Sequence, residues 1–243
     1  EADLIAYVND SKSYEKVTFT NDVMNEGFVQ ITLKGRTDSP LLIGGVYPHD
    51  SAAPDETFIT TADGKPLIPG SSIKGVLRHR VNRIANILQL RNKEKYVAYL
   101  FGPDDPEADE GMGTLQFEDI IINKRNTKVF NRIAINPFTG GTRDGMIIEQ
   151  ETVVGTFETK LQYQLKEKEA DVSLALLLFA LRDLALGKLS VGSGAAIGRG
   201  FLKIEEMSME DDDKEIVFDV DAQEIIGDDT WLQQLQESLE TAK

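Results

Sequence analysis

Along residues 28–35, apolar Val29, Ile31 and Leu33 alternate with polar Gln30, Thr32 and Lys34, the period of a strand that buries one face. The period then changes. Ile73, Val76, Leu77, Val81, Ile84 and Leu88 recur at helical spacing with basic residues between them, which predicts an amphipathic helix over 72–90. Ahead of it Pro69 fixes φ, Gly70 frees it, and Ser71 or Ser72 can serve as N-cap. Residues 113–120, running on into Ile121 and Ile122, read as a strand, and 146–154 and 156–164 as two strands joined near Gly155. A helix over 171–186 follows, capped by Asp171 and closed by Gly187. A strand over 201–205, an acidic strand or loop over 216–220 and a short helix over 231–239 complete the chain. In that last helix Trp231, Leu232, Leu235 and Leu239 keep helical spacing and cap the core. This order of elements predicts an α+β sheet with helices on one face, a ferredoxin-like plan with long excursions.

The 243 residues suffice for one large domain with a real core. Residues 1–27 are weakly patterned and read as an extension or a linker from a fused module. Within 28–243, segments 28–45, 66–102, 113–123 and 171–205 form the expected core. The stretch 46–65, rich in Pro, Asp, Ala and Thr, is a long loop, 124–165 is an insertion, and 206–243 is an acidic C-terminal segment. The most apolar run, 172–186, is interrupted by Arg182 and Asp183, so no membrane partner is expected. The start, Glu1-Ala2-Asp3-Leu4, lacks the basic and apolar parts of a signal peptide. The absence of cysteine excludes disulfides, thiolate metal sites and cysteine nucleophiles, and fits a cytoplasmic protein.

A net charge of −15 argues at first against nucleic acid, whose phosphates select basic surfaces. Its distribution reverses the argument. Residues 65–100 hold eight basic side chains against one acid, and 124–144 hold five against one. Residues 104–119 hold seven acids and no base, and 205–229 hold twelve acids against Lys214. A chain so segregated can present one basic and one acidic face. The acidic tract is then a solvated rim, or it meets a basic patch of a neighbouring subunit.

Candidate chemistry falls in three places. At the predicted helix start, free amides, Ser71 and Ser72 suit a phosphate, with Lys74 and Arg78 four residues apart on one face and Arg83 beyond. His79, between Arg78 and Arg80, faces solvent or RNA. In the loop 191–200, Gly192, Ser193, Gly194 and Gly198 would let backbone amides approach phosphates, with Arg199 adding charge. A dinucleotide fingerprint does not fit there, because the loop follows a helix and opens a strand. In the basic insertion, Phe130 and Phe138 either stack on bases or anchor the segment, beside Lys128, Arg132 and Thr139.

Three blocks, 68–78 around Pro69-Gly70-Ser71-Ser72, 132–142 around Asn136-Pro137-Phe138-Thr139-Gly140-Gly141, and 192–200 around Gly198-Arg199-Gly200, resemble the RAMP (repeat-associated mysterious protein) superfamily of CRISPR effectors. Residues 39–45 and Leu100-Phe101-Gly102 fit the same pattern. The order and spacing resemble the backbone subunits of type III complexes. The resemblance implies an RNA-recognition-type, ferredoxin-like core that binds CRISPR guide RNA along its backbone. It implies stacking beside other RAMP-type and large signature subunits, and a thumb-like β-hairpin, here in 124–148, that wedges into the guide–target duplex. Such a protein reads phosphates and helical shape and leaves sequence to base pairing.

In cleaving members an aspartate in the loop before the Ile-Pro-Gly-Ser-Ser turn supports divalent-metal-dependent cutting of target RNA. Asp55 occupies that place, with Asp50 as a competitor, and would hold Mg²⁺ or Mn²⁺. Two other readings stay open. One is a non-cleaving cap or bridging subunit. The other is a guide-processing endoribonuclease with His49 as general base.

Overall fold

A computed structural model describes residues 27–46, 53–104, 112–164, 169–220, 224–227 and 229–243. The strands are β1 (Phe28–Thr37), β2 (Gly44–Val46), β3 (Thr57–Phe58), β4 (Leu67–Ile68), β5 (Leu115–Phe117), β6 (Ile120–Ile121), β7 (Asn123–Ile135), β8 (Thr142–Gln164), β9 (Leu202–Glu210), β10 (Glu215–Asp219) and β11 (Glu224–Gly227). The helices are α1 (Gly70–Ile87), α2 (Lys93–Phe101), α3 (Ala170–Ala185) and α4 (Asp229–Thr241), with a 3₁₀ turn at Ala195–Ile197. The main sheet runs β11-β10-β9-β1-β8-β5, and β7 pairs with β8. Every pairing in it is antiparallel.

One face of the sheet carries the core. In β1 the odd positions Val29, Ile31 and Leu33 are buried, as their alternation requires. They pack with Ile73, Leu77, Val81 and Ile84 of α1, with Leu174, Leu177 and Leu181 of α3, and with Ile204, Met207 and Met209 of β9. Each fully buried side chain of this kind stabilises the fold by about 1.5–3 kcal/mol. The opposite face is polar: Gln30, Lys34 and Arg36 meet Glu210, Glu206 and Glu205.

Several elements differ from the reading of the sequence. The first helix begins at Gly70, with Pro69 at the N-cap and no side-chain cap. Ser71 and Ser72 therefore lie inside the first turn, because the Asp119 carboxylate accepts the Gly70 N–H at 2.8 Å from across the fold. The expected strand over 113–122 is two short strands in different sheets. The two strands expected to meet at Gly155 are one: β8 passes straight through. Gly155 is there for closeness, since a Cβ would sit 2.3 Å from the Asn123 carbonyl oxygen. α3 begins one residue early and Asp171 lies in its first turn rather than capping it. The acidic segment 206–243 agrees with that reading where it was specific, with β10 at Glu215–Asp219 and Trp231, Leu235 and Leu239 of α4 buried, and β11 adds an edge strand that the sequence did not suggest.

Candidate nucleic-acid interface

β7 and β8 form a long hairpin, paired from Asn123↔Thr156 to Ile135↔Thr142. Its outer strand is almost entirely exposed, so this arm projects from the sheet. Lys124, Arg125, Lys128, Arg132 and Arg143 sit on it and make no ion pair with any described residue. The tip is ordered by its own backbone. Asn136 N–H donates to the Gly141 carbonyl and Gly140 N–H to that of Asn136, both at 2.9 Å. The Asn136 side chain also accepts from Phe138 N–H at 2.9 Å. That closed turn holds Phe138, 95% exposed, at its apex beside Thr139. Phe138 is thus no core anchor, whereas Phe130, at the base, is only half-exposed.

The base is where three distant segments meet. Lys128, Phe130 and Arg132 share a face with Ile148, Gln150 and Thr152 across the ladder. The Arg199 guanidinium lies 4.3 Å from the Phe130 ring centroid, and Lys128 Nζ lies 4.7 Å from it. Arg199 also donates to Gln150 Oε1 at 2.7 Å, and Gln150 Nε2 donates to Glu56. Arg199 and Gln150 are both buried. Burial first, then the Arg132 charge, pull the Arg199 guanidinium below its ordinary pKa. Arg199, expected on phosphate, is turned inward. Neither Gln150 nor Glu56 stood out in the sequence, since nothing in the alternation of β8 marks one inward glutamine as a junction.

The glycine loop is built mainly to pack on its own chain. Gly192 has φ +80°, and a Cβ there would lie 2.4 Å from the Leu42 carbonyl oxygen. The amides of Ser193, Ile197, Gly198, Arg199 and Gly200 all donate to backbone carbonyls. Those of Gly192, Gly194, Ala195 and Ala196 have no such partner among the described residues. Gly198, with φ +80°, is open to solvent, and a Cβ there would meet nothing within 4 Å.

At the start of α1 the Gly70 amide is occupied by Asp119, so that donor is closed to phosphate. Arg78 is also engaged: it donates to the Gly102 carbonyl at 3.0 Å and pairs with Asp104. Lys74 and Arg83 make no ion pair with any described residue, and Arg83 is exposed beside His79. Ser71 is exposed and Ser72 half-exposed.

Asp55 is exposed, and its Oδ2 accepts Glu149 N–H at 2.8 Å while Glu56 pairs with β8 through backbone bonds to Glu149 and Glu151. The loop is thereby fastened to β8 on the side away from β7. His49 and Asp50 lie outside the described residues. Among the described residues no group of three or more His, Asp or Glu side chains is arranged to hold a metal ion. One carboxylate already bonded to an amide does not fit a resident Mg²⁺ or Mn²⁺ site, so no step through a metal follows from this geometry.

The open face of the sheet is mostly polar where β1 and β8 pair: Gln30, Thr32, Lys34, Arg36, Thr156, Glu158, Lys160 and Gln162 line it, with one ring, the half-exposed Phe28, at the start of β1, whereas RNA-recognition motifs stack bases on several sheet aromatics. No helix among the described residues is long and apolar enough to cross a membrane.

An antiparallel sheet backed on one face by helices, with a projecting basic hairpin and a glycine-rich loop at its base, defines a mixed α/β protein with a basic arm. Residues 34–203 match the family model of the RAMP superfamily, and the chain belongs to that superfamily. The fold is similar to that of a chain in the cryo-EM structure of the type III-B Cmr-beta bound to cognate target RNA. That likeness has a TM-score of 0.55 at 15% identity and covers 75% of this chain. This chain spans 61% of the length of that one. No curated protein matches.

Proposed function

We propose that the chain is a guide-RNA-binding subunit of a type III CRISPR effector complex, acting in antiviral defence beside other RAMP-type subunits. The observation that carries this reading is the hairpin: five cations without ion partners among the described residues, on an arm whose ordered tip exposes Phe138. The core order β9-β1-β8-β5, with α1 joining β1 to β5 and α3 joining β8 to β9, supports a ferredoxin-like core. The hairpin is then its thumb. Cations on the arm hold phosphates, and Phe138 stacks on or wedges between bases, with no reading of sequence.

The test is RNA affinity against salt for the wild type and for the triple variant Lys128→Ala, Arg132→Ala, Arg143→Ala. Loss of three phosphate contacts lowers the slope of log K against log salt by about 2 for single-stranded RNA. An unchanged slope would sink the reading.

Target-RNA cleavage attaches to Asp55 in this proposal. What supports it is that the carboxylate is exposed and is fixed to β8 opposite the hairpin's outer strand.

A further inference from the structure

Three segments far apart in sequence converge on one buried amide. Gln150 is 4% exposed and Arg199 6% exposed, yet both are fully polar at their ends and need partners. The Gln150 carboxamide has one acceptor end and one donor end, and both are used: Oε1 accepts from Arg199 and Nε2 donates to Glu56. The orientation is dictated by the neighbours. A flipped amide would set NH₂ against a guanidinium and oxygen against a carboxylate, two repulsive contacts in place of two attractive ones. Glu56 and Arg199 thus neutralise each other through a neutral relay.

The other side of the guanidinium faces Phe130, 4.3 Å from its centroid. One planar group therefore bonds β8 and lies against β7 at once, across the root of the hairpin. Its own backbone is held as well: Arg199 N–H donates to the Gly194 carbonyl at 3.1 Å, and its side chain packs over Gly194, where a Cβ would come within 3.0 Å of Cδ. Gly194, with φ +86°, leaves room for that course. On the β8 side the hairpin is also tied by the Asp55 and Glu56 bonds to Glu149 and Glu151, whereas β7 is exposed along most of its length, so the Arg199–Phe130 contact is its tie on that strand.

We infer that Arg199 is a positioning residue: through Gln150 and Phe130 it sets the pose of the β7–β8 hairpin and of the 55–58 loop, and does not itself contact phosphate. Lysine cannot substitute, because a point charge on a flexible stem lacks the planar fork that bonds an amide while stacking on a ring. The affinity part of this inference rests on the hairpin being the RNA-contacting arm; the structural part does not.

The experiment is hydrogen exchange on the full chain, free of RNA, for Arg199→Lys, Gln150→Ala, the double variant and Gln150→Glu. Losing a hydrogen bond to a charged group should speed exchange of the amides in 128–133, 147–151 and 56–58 by about tenfold or more, with amides of α1 and α3 unchanged. The double variant should add nothing to either single variant, as members of one unit behave. Gln150→Glu should keep the hairpin protected through a direct pair with Arg199 while freeing 56–58, where Glu56 is repelled. Unaltered exchange in Arg199→Lys, or additive effects in the double variant, would overturn the inference.

RNA titration separates it from the proposed function. Arg199→Lys should weaken binding as much as Gln150→Ala. If Arg199→Lys binds like the wild type while Arg199→Met loses about one phosphate's worth of salt slope, Arg199 is a direct ligand and the inference fails. If the exchange results stand but the triple cation variant binds RNA normally, the relay survives and the RNA reading falls.

Discussion

Asp183→Asn isolates how α1 and α3 are joined, and with it why Arg80 is missing from the basic face. Asp183 is 1% exposed and takes Nε of Arg80 at 2.6 Å, with Arg182 at 3.1 Å and Lys188 at 3.7 Å. Removing one member of a buried ion pair costs about 3–5 kcal/mol because the partner charge is stranded. Arg80 keeps 21% of its side chain exposed and can partly rehydrate, so the lower end, about 3 kcal/mol, applies. For a domain of this size that lowers Tm by about 6–12 °C. The pH dependence follows from the same contacts. Burial alone would raise the Asp183 carboxyl, but hydrogen bonds and charge from Arg80 and Arg182 outweigh it and hold it below the usual carboxylate range. Its contribution is therefore complete above the unfolded value, near pH 3.9, and is lost as pH falls through the lowered folded value. Thermal melts of wild type and variant should differ by a constant amount from pH 7 to pH 5 and converge only in strong acid. A shift below about 2 °C at pH 7, or a gap that already closes between pH 6 and 5, would refute the account.

Gly192→Ala should destabilise more than Gly198→Ala. Both positions have φ +80°, a strain of about 1–2 kcal/mol for a side chain, but only at Gly192 would the new Cβ strike backbone, 2.4 Å from the Leu42 oxygen. Equal urea midpoints would show that the loop is free to move off residues 39–42. For Asp55, asparagine keeps an acceptor for Glu149 N–H and removes the charge, whereas alanine removes both. Asp55→Asn should leave exchange at Glu149 unchanged and abolish cutting of target RNA in the assembled complex. Cutting that survives in the asparagine variant and is impaired only by alanine makes the carboxylate a latch for the loop, not a reacting group.

Periodicity carried the strands and helices that bury a face, because burial is what periodicity encodes. β1, α1, α3 and α4 are all close to where their apolar spacing put them. What spacing cannot carry is a partner supplied from afar. The start of α1 was misplaced because its cap is Asp119, 49 residues downstream, not the adjacent serines. α2 passed unread although Val97, Leu100 and Phe101 keep helical spacing and are buried; at nine residues it is short and begins after Asn92 at φ 53°. The same limit applied to the site. The basic character of 124–144 was legible, and the hairpin bears it. Arg78 and Arg199 counted equally with Lys128 and Arg132 in the sequence, yet one binds Asp104 and the other Gln150, and only the fold separates engaged cations from available ones.

That separation answers how a chain of net charge −15 can offer a surface to RNA. The acids are placed against particular cations: Glu205 on Arg36, Glu206 on Lys34, Asp104 on Arg78, Asp183 on Arg80, Glu169 on Lys95. Among the described residues Lys74 and Arg83 on α1 and Lys160 on the sheet also lack an ion pair, but the largest group of such cations, Lys124, Arg125, Lys128, Arg132 and Arg143, is on the hairpin. On the proposed function, an RNA strand meeting the open sheet face finds carboxylates and a single half-exposed ring, Phe28; one meeting the hairpin finds Lys128, Arg132 and Arg143 with the exposed Phe138 beyond them. Under the proposed function the excess of acid would act as a selector of orientation, since like charge on the wrong face costs more than neutrality would. Neutralising Glu205 and Glu206 together should accordingly leave the hairpin contacts intact while freeing Arg36 and Lys34 to hold phosphate on the sheet, so its mark is a second, weaker RNA site and not a loss of the first.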